Sequence, residues 1–163
     1  MIHEAFDEPV RTTGGWGGPA TPTVRMKRVN PTLRDAVLGA WELVSFVARD
    51  ETTGEDRQPL GTTPRGLILY TADGYMSAQL AESDMSGYVA YGGRFSLDEG
   101  TSTLHHDVTV SMMPELLAQP QFRHASVDGD LLTLSASRTD DTGVTTHSRL
   151  VWRRASTAPP EAS

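Results

Sequence analysis

The chain has 163 residues, of which 37% are hydrophobic and 21% charged, with a net charge of −7 and no cysteine. These values predict one globular domain with a single core, and the acidic balance argues against nucleic acid or an anionic membrane as a partner. The lack of cysteine excludes disulfides, thiolate metal sites and cysteine nucleophiles.

Two further features of composition bear on the source and location. Thirteen of the 14 basic residues are arginine, which is typical of a GC-rich genome and predicts a bacterial protein. No segment reaches the roughly 20 apolar residues of a membrane span. The first eight residues carry acids where a signal peptide has an apolar core, so we predict a cytoplasmic protein.

The chain is predicted to have three parts. Residues 1–31 are rich in glycine and proline and lack periodicity, which predicts a flexible N-terminal arm. Phe6 and Trp16 could alternatively fold this arm over the barrel as a lid. Residues 32–154 form the folded domain, and residues 155–163 are predicted to be a disordered tail.

The folded part begins with a short helix and continues as strands. Thr32 is a plausible N-cap for about two turns that end at Gly39. Alternating patterns separated by turn residues then predict eight strands, with a weak ninth between Arg57 and Leu60. Because the strands follow one another through short turns, we predict an all-β fold: an eight- to ten-stranded antiparallel up-and-down β-barrel. The eight strands are predicted at residues 41–49, 65–71, 75–81, 88–98, 101–113, 122–127, 131–137 and 144–154.

Several blocks resemble the bacterial lipocalin-like domain family. Gly39-Ala40-Trp41 is similar to the G-x-W motif of lipocalins, and GLILYTADGYMSAQL at residues 66–80, His105-His106 and LVWRR at residues 150–154 are more specific. The resemblance spans residues 33–154. It implies that Trp41 packs at the closed end of the barrel under Arg153 or Arg154 as a cation–π partner. It also implies a barrel that holds a hydrophobic small molecule.

Strand alternation predicts which side chains face the interior. On the strand around His106, one face carries Leu104, His106, Val108, Val110 and Met112, whereas His105 and Asp107 lie on the other. If the next connection is centred near residues 114 and 115, His124 lies opposite His106 and points inward beside Phe122. The pair could be a proton-transfer dyad, half of a metal site that lacks a third ligand, or plain structural histidines. We predict no metal and no cofactor.

Other residues complete the predicted site. Tyr91 and Phe95 share the more apolar face of their strand, so Tyr91 is expected in the cavity and Arg94 outside it. Either face of the strand from Tyr75 to Gln79 could be the inner one. The catalytic candidates are His106, His124 and Tyr91. The ligand-binding candidates are Tyr70, Tyr75, Gln79, Phe95, Val108, Phe122, Leu132 and Leu134.

The resemblance leaves the activity open between two classes. Related barrels in bacterial and fungal natural-product pathways are cofactor-free cyclases, including Diels–Alder catalysts. We therefore predict a cofactor-independent cyclase or isomerase that acts on a hydrophobic natural-product intermediate, and alternatively a non-catalytic carrier of a small hydrophobic ligand. A barrel filled by its own side chains is a third possibility. The partner is expected to be a small molecule, and the protein a monomer or homodimer.

Overall fold

The computed structural model describes residues 30–157, in which one short helix precedes nine strands. Helix α1 is followed by a long first strand, and a short 3₁₀ helix at Pro114–Leu117 joins β6 to β7. The predicted arm, lid and most of the tail lie outside the described residues. The elements are α1 (Leu33–Val37), β1 (Gly39–Asp50), β2 (Asp56–Arg57), β3 (Arg65–Tyr70), β4 (Tyr75–Ala81), β5 (Val89–Asp98), β6 (Thr103–Ser111), β7 (Gln121–Asp128), β8 (Leu131–Thr139) and β9 (Thr145–Arg154).

Eight of the strands close into an antiparallel barrel. The order runs from β1 through β3 to β9, and β9 pairs again with β1 from Trp41 opposite Arg154 to Asp50 opposite Thr146. Strand β2 pairs only with the far end of β1. This closed up-and-down barrel confirms the predicted fold, and the extra strand lies at the start of the predicted weak ninth.

The register places one apolar face of every barrel strand toward the interior. Trp41 pairs with Ile68, Ile68 with Ala78, and Leu43 with Trp152, so these residues share one face. Ile68 and Trp152 are only 1% exposed, and Ala78 is fully buried. Within residues 30–157 the only helices are the short α1 and one 3₁₀ turn, and neither is long enough to cover a face of the sheet. These side chains are therefore buried by packing against one another inside the barrel.

Helix α1 closes one end of the barrel. Its N-cap Thr32 accepts a hydrogen bond from the Asp35 amide, as the sequence predicts. The Glu99 carboxylate, in the β5–β6 turn, accepts hydrogen bonds from the amides of Leu33 and Arg34. These bonds use amides that a helix start otherwise leaves without partners, and they tie α1 to the barrel rim.

The segment between β2 and β3 also contributes to the core. Leu60, between β2 and β3, is 7% exposed and belongs to the same core as Leu80. No helix between residues 30 and 157 has the length and apolar character of a membrane span.

Candidate functional site

A buried hydrogen bond crosses the barrel interior between Tyr70 and His106. The Tyr70 hydroxyl lies 2.8 Å from His106 Nε2, and both side chains are at most 2% exposed. Their strands, β3 and β6, are separated in the wall by β4 and β5, so the two side chains meet across the lumen. The Phe95 ring packs edge-on against Tyr70 at 5.0 Å between centroids.

Two more polar side chains extend this cluster. The Tyr91 ring lies 6.1 Å from the His106 ring, centroid to centroid. Arg123, on β7, is paired with Leu104 and therefore shares the inner face of the wall. The positive charge of Arg123 acts on the Tyr91 hydroxyl and favours its ionised form. The interior site is thus Tyr70, His106, Tyr91 and Arg123, which we call the polar cluster.

Burial keeps the polar cluster's titratable groups uncharged, except for Arg123. Desolvation, with a smaller contribution from the Arg123 charge, lowers the pKa of His106 from 6.5 to about 3. Desolvation also raises the pKa of Tyr70 well above its usual range and raises the pKa of Tyr91. The positive charge of Arg123 lowers both pKa values, but by less than desolvation raises them. At neutral pH the cluster therefore consists of a neutral imidazole and two neutral phenols beside one guanidinium.

His106 has one ring nitrogen without a partner. Nδ1 is buried and makes no hydrogen bond to any described residue, and the same is true of Trp152 Nε1. Leaving a buried polar atom unpaired costs about 1–3 kcal/mol, so such atoms are rare in folded proteins. Because the Tyr70 hydroxyl is bonded to Nε2, the tautomer of His106 depends on the direction of that bond. If Nε2 accepts, Nδ1 carries the proton and is an unpaired donor; if Nε2 donates, Nδ1 is an unpaired acceptor.

A second feature lies on the outside of the barrel. A groove of about 780 Å³ runs over β7, β8, β9 and β1 and reaches Asp56 on β2. Most of its lining residues occupy the outer face. They are paired with one another across neighbouring strands, and they alternate along each strand with the residues of the core. We call this the outer groove, and its principal charged and apolar side chains are Val47, Arg49, Phe122, Arg123, Arg149 and Val151.

Comparison with known families bears on the barrel as a whole. A family model described as a lipocalin-like domain matches residues 38–86 and 81–155, which together span most of the chain. The protein belongs to the lipocalin-like domain family. No curated protein matches the sequence. Membership fits a lipocalin-like barrel that binds a small hydrophobic ligand.

The lipocalin-like G-x-W motif takes the predicted place at the closed end. The Arg154 guanidinium stacks 4.1 Å from the centre of the Trp41 ring, so Arg154, and not the exposed Arg153, is the cation–π partner. The glycine of the motif is also explained. Gly39 has φ of +111°, and a Cβ there would lie 3.2 Å from Arg154 Nη1.

The predicted pairing of His124 with His106 is wrong. His124 lies opposite Thr103, and Gln121 lies opposite His106. The observed register of β7 against β6 therefore differs from the predicted one by three residues. Because this number is odd, every side chain of β7 lies on the face opposite to the predicted one. His124 and Phe122 are consequently exposed on the outside, where the Phe122 ring packs edge-on against His105.

The predicted inner face of β6 holds only as far as Val108. Val110 is 67% exposed and Met112 56% exposed. A bulge between Gly92 and Gly93 of β5 leaves one extra residue on β6, because Gly92 pairs with Val110 and Gly93 with Val108. The extra residue reverses the alternation beyond it, so Val110 points outward.

The remaining predicted site residues divide between the two faces. Tyr75 is 45% exposed, and its hydroxyl accepts a hydrogen bond from Arg94. Gln79 lies on that same outer face and bonds Ser77. Both are therefore outside the barrel, which corrects their placement as cavity residues. The structure places the other candidates on the inner face, where their catalytic or ligand-binding roles stay predictions: Tyr70, Tyr91, Phe95, His106, Val108, Leu132 and Leu134.

Arg123 is the site residue that the sequence reasoning missed. A usable signal was present: Ala125 and Val127 share its face of β7, whereas the more polar Ser126 and Asp128 share the face of His124. Within residues 30–157, no three histidine or acidic side chains are grouped as a metal site would require.

Proposed function

We propose that this protein binds a small, largely apolar molecule inside its barrel and promotes its cyclisation or isomerisation without a cofactor. The observation that carries the proposal is the unpaired, fully buried Nδ1 of His106 within the polar cluster. A bound molecule with a complementary polar group would supply the missing hydrogen bond and recover its cost. The apolar side chains around the cluster would hold the rest of the molecule.

The polar cluster favours polarisation over strong base catalysis. An imidazole with a pKa of about 3 is a weak base, but as a neutral hydrogen-bond donor it can polarise a carbonyl. The Tyr70 hydroxyl can donate to Nε2, which leaves Nδ1 protonated as a donor, or accept from a protonated Nε2, which leaves Nδ1 as an acceptor. Arg123 adds a positive charge that would stabilise negative charge developing on the ligand near Tyr91.

The barrel shape would supply the remaining rate enhancement. A closed apolar interior that holds one conformer of a flexible substrate removes much of the entropic cost of cyclisation. Entry needs an opening. The β7–β8 ladder starts only at His124 opposite Ser135, so Gln121–Arg123 pair with β6 alone and have no strand partner on their β8 side.

Binding can be tested with the neutral fluorophore N-phenyl-1-naphthylamine. We expect saturable, one-to-one binding to the full chain. A Gln121→Trp variant should weaken it because Gln121 is half-buried on the inner face opposite His106. Ser126→Trp, at an exposed position of the same strand, is the matched control. Equal affinity of the two variants would show that the probe does not enter the barrel.

Catalysis can be tested with 2-tetralone, a small apolar ketone, by following exchange of its α-protons in D₂O by NMR. The proposal predicts faster exchange with protein present, because hydrogen bonds to the ketone oxygen make the α-protons more acidic and solvent water or hydroxide removes them, and a slower rate in His106→Gln and Tyr91→Phe. Tyr75→Phe is the control, because this tyrosine lies outside the barrel. The carrier alternative predicts that 2-tetralone binds without faster exchange, and that result would remove the enzymatic proposal while retaining the binding one.

A further inference from the structure

We propose that the outer groove is a separate binding site for a small organic anion with an apolar body, such as a carboxylate, sulfonate or phosphate attached to a hydrocarbon or aromatic group. Apart from Arg123, which also belongs to the polar cluster, the principal side chains of this site lie on the outer face of the wall, and the proposal does not depend on the function proposed for the interior.

The charge of the outer groove is opposite to that of the chain. On the outer face its lining carries two arginines, Arg49 and Arg149, and one acid, Asp56, a balance of +1 with neutral histidines, and Arg123 adds a further positive charge from the inner face. The whole chain carries −7. A local positive region on an acidic protein attracts anions there specifically, because the rest of the surface repels them.

The three arginines are not equally available. Arg49 is held by Asp56 through two hydrogen bonds of 2.6 and 2.8 Å. Arg123 bonds the Phe122 carbonyl and reaches the interior tyrosine. Arg149 is exposed, and its guanidinium makes no hydrogen bond or ion pair with any described residue. Its guanidinium is therefore the principal anion-binding group of the proposal.

Neighbouring histidines add donors on the same face. His147 lies beside Arg149 along the groove, and its Nδ1 is 2.6 Å from Ser137 Oγ. Its Nε2 is 3.7 Å from Glu51, which reduces the positive potential at that edge. His124 lines the opposite side of the groove. The anion is thus expected between Arg149 and His124, away from Glu51.

The walls fit an apolar body of moderate size. Val47 and Val151 are half-buried in the groove, and Phe122 leaves 52% of its surface exposed there. Ligand sites for drug-sized molecules typically occupy about 300–1,000 Å³, and the groove of about 780 Å³ lies within this range. An inorganic anion would leave most of this apolar surface uncovered, so an amphiphilic anion is the better fit.

Two fluorophores that differ only in one sulfonate test the proposal. We expect 8-anilino-1-naphthalenesulfonate to bind the outer groove. Arg149→Gln should weaken its binding at least about fivefold, by loss of a charge-assisted hydrogen bond. Arg153→Gln, exposed on the same face of β9 but outside the groove, should leave binding unchanged. Raising NaCl from about 50 to about 500 mM should weaken binding by screening.

The uncharged analogue, N-phenyl-1-naphthylamine, distinguishes binding in the outer groove from binding in the barrel interior. Its affinity should be independent of Arg149 and of salt, and Gln121→Trp should leave sulfonate binding intact. Equal effects of Arg149→Gln and Arg153→Gln would overturn the proposal. So would a stable dimer on size-exclusion chromatography that Arg149→Gln dissociates, because a second copy would then be the occupant.

Discussion

Tyr70 and His106 lie on strands β3 and β6, three positions apart in the barrel wall, yet their side chains join in a 2.8 Å hydrogen bond. The bond spans the lumen and is shielded from solvent by the core. It is both a structural link between opposite walls and the contact whose direction is coupled to the tautomer of His106. These two roles can be separated by substitution.

Replacing Tyr70 by Phe should destabilise the barrel while keeping its aromatic packing on Phe95. The change leaves both nitrogens of His106 unpaired, so we expect a loss of about 1–3 kcal/mol in the free energy of unfolding. Urea titration at pH 7.5 measures it. Tyr75→Phe is the matched control and should change stability by less than about 0.5 kcal/mol, since that hydroxyl is exposed. Equal losses would contradict the assignment.

Burial of neutral His106 should make the protein sensitive to mild acid. The unfolded chain takes up a proton near pH 6.5, whereas the folded barrel resists protonation until about pH 3. The stabilisation is therefore complete above pH 6.5 and declines as the pH falls toward 3. Linkage predicts a loss of about 2 kcal/mol between pH 7.5 and pH 5.

His106→Gln isolates this contribution. The glutamine does not titrate, and the other histidines and the carboxylates are common to both proteins. The difference between the two unfolding free energies should therefore shrink by about 2 kcal/mol on moving from pH 7.5 to pH 5. Parallel pH profiles would show that the pKa of His106 is not lowered in the folded state.

The sequence is a good guide to this fold because its signals are local. Ala72-Asp73-Gly74 and Asp128-Gly129-Asp130 mark turns between strands, and the strands on either side alternate as paired antiparallel strands should. The Trp41 motif and the arginine of the last strand add a long-range constraint, which joins β1 to β9 and so implies closure.

The polar cluster was less predictable because its geometry depends on register across an irregular connection. Residues between β6 and β7 include the 3₁₀ helix at Pro114–Leu117, so the turn centre cannot be counted from the strand ends. An error of three residues there put His124 inside and Arg123 outside. The β-bulge opposite Gly93 is similarly invisible to strict alternation, and it reverses the face of Val110.

Gly93→Ala should test that bulge. A Cβ at Gly93 would lie 2.1 Å from the Asp107 carbonyl oxygen and 2.8 Å from the Thr109 amide nitrogen. Both are backbone atoms, so the strands must separate, and we expect a loss of at least about 2 kcal/mol. Gly100→Ala, whose Cβ would meet only an aspartate side chain at 3.3 Å, should cost far less by thermal unfolding. Similar melting temperatures would mean that β6 follows another register.

Arg154→Lys should loosen the closed end of the barrel. Arg154 donates to the carbonyls of Ala36 and Leu38, and the Trp41 indole donates to the carbonyl of Val37. These three bonds satisfy carbonyls at the end of α1 that a helix leaves unpaired. A lysine keeps the charge but cannot bridge two carbonyls and stack on the indole together, so about 1–2 kcal/mol should be lost.

Hydrogen exchange at residues 33–38 distinguishes this local effect from a general loss of stability. In Arg154→Lys the amides of α1 should exchange faster, while those around Asp50 and Thr146, at the far end of the β1–β9 ladder, should change much less. Arg153→Lys on the same strand is exposed and should leave both regions unchanged. Uniformly faster exchange would show that Arg154 supports the whole barrel, because α1 would then be only one of the elements that depend on it.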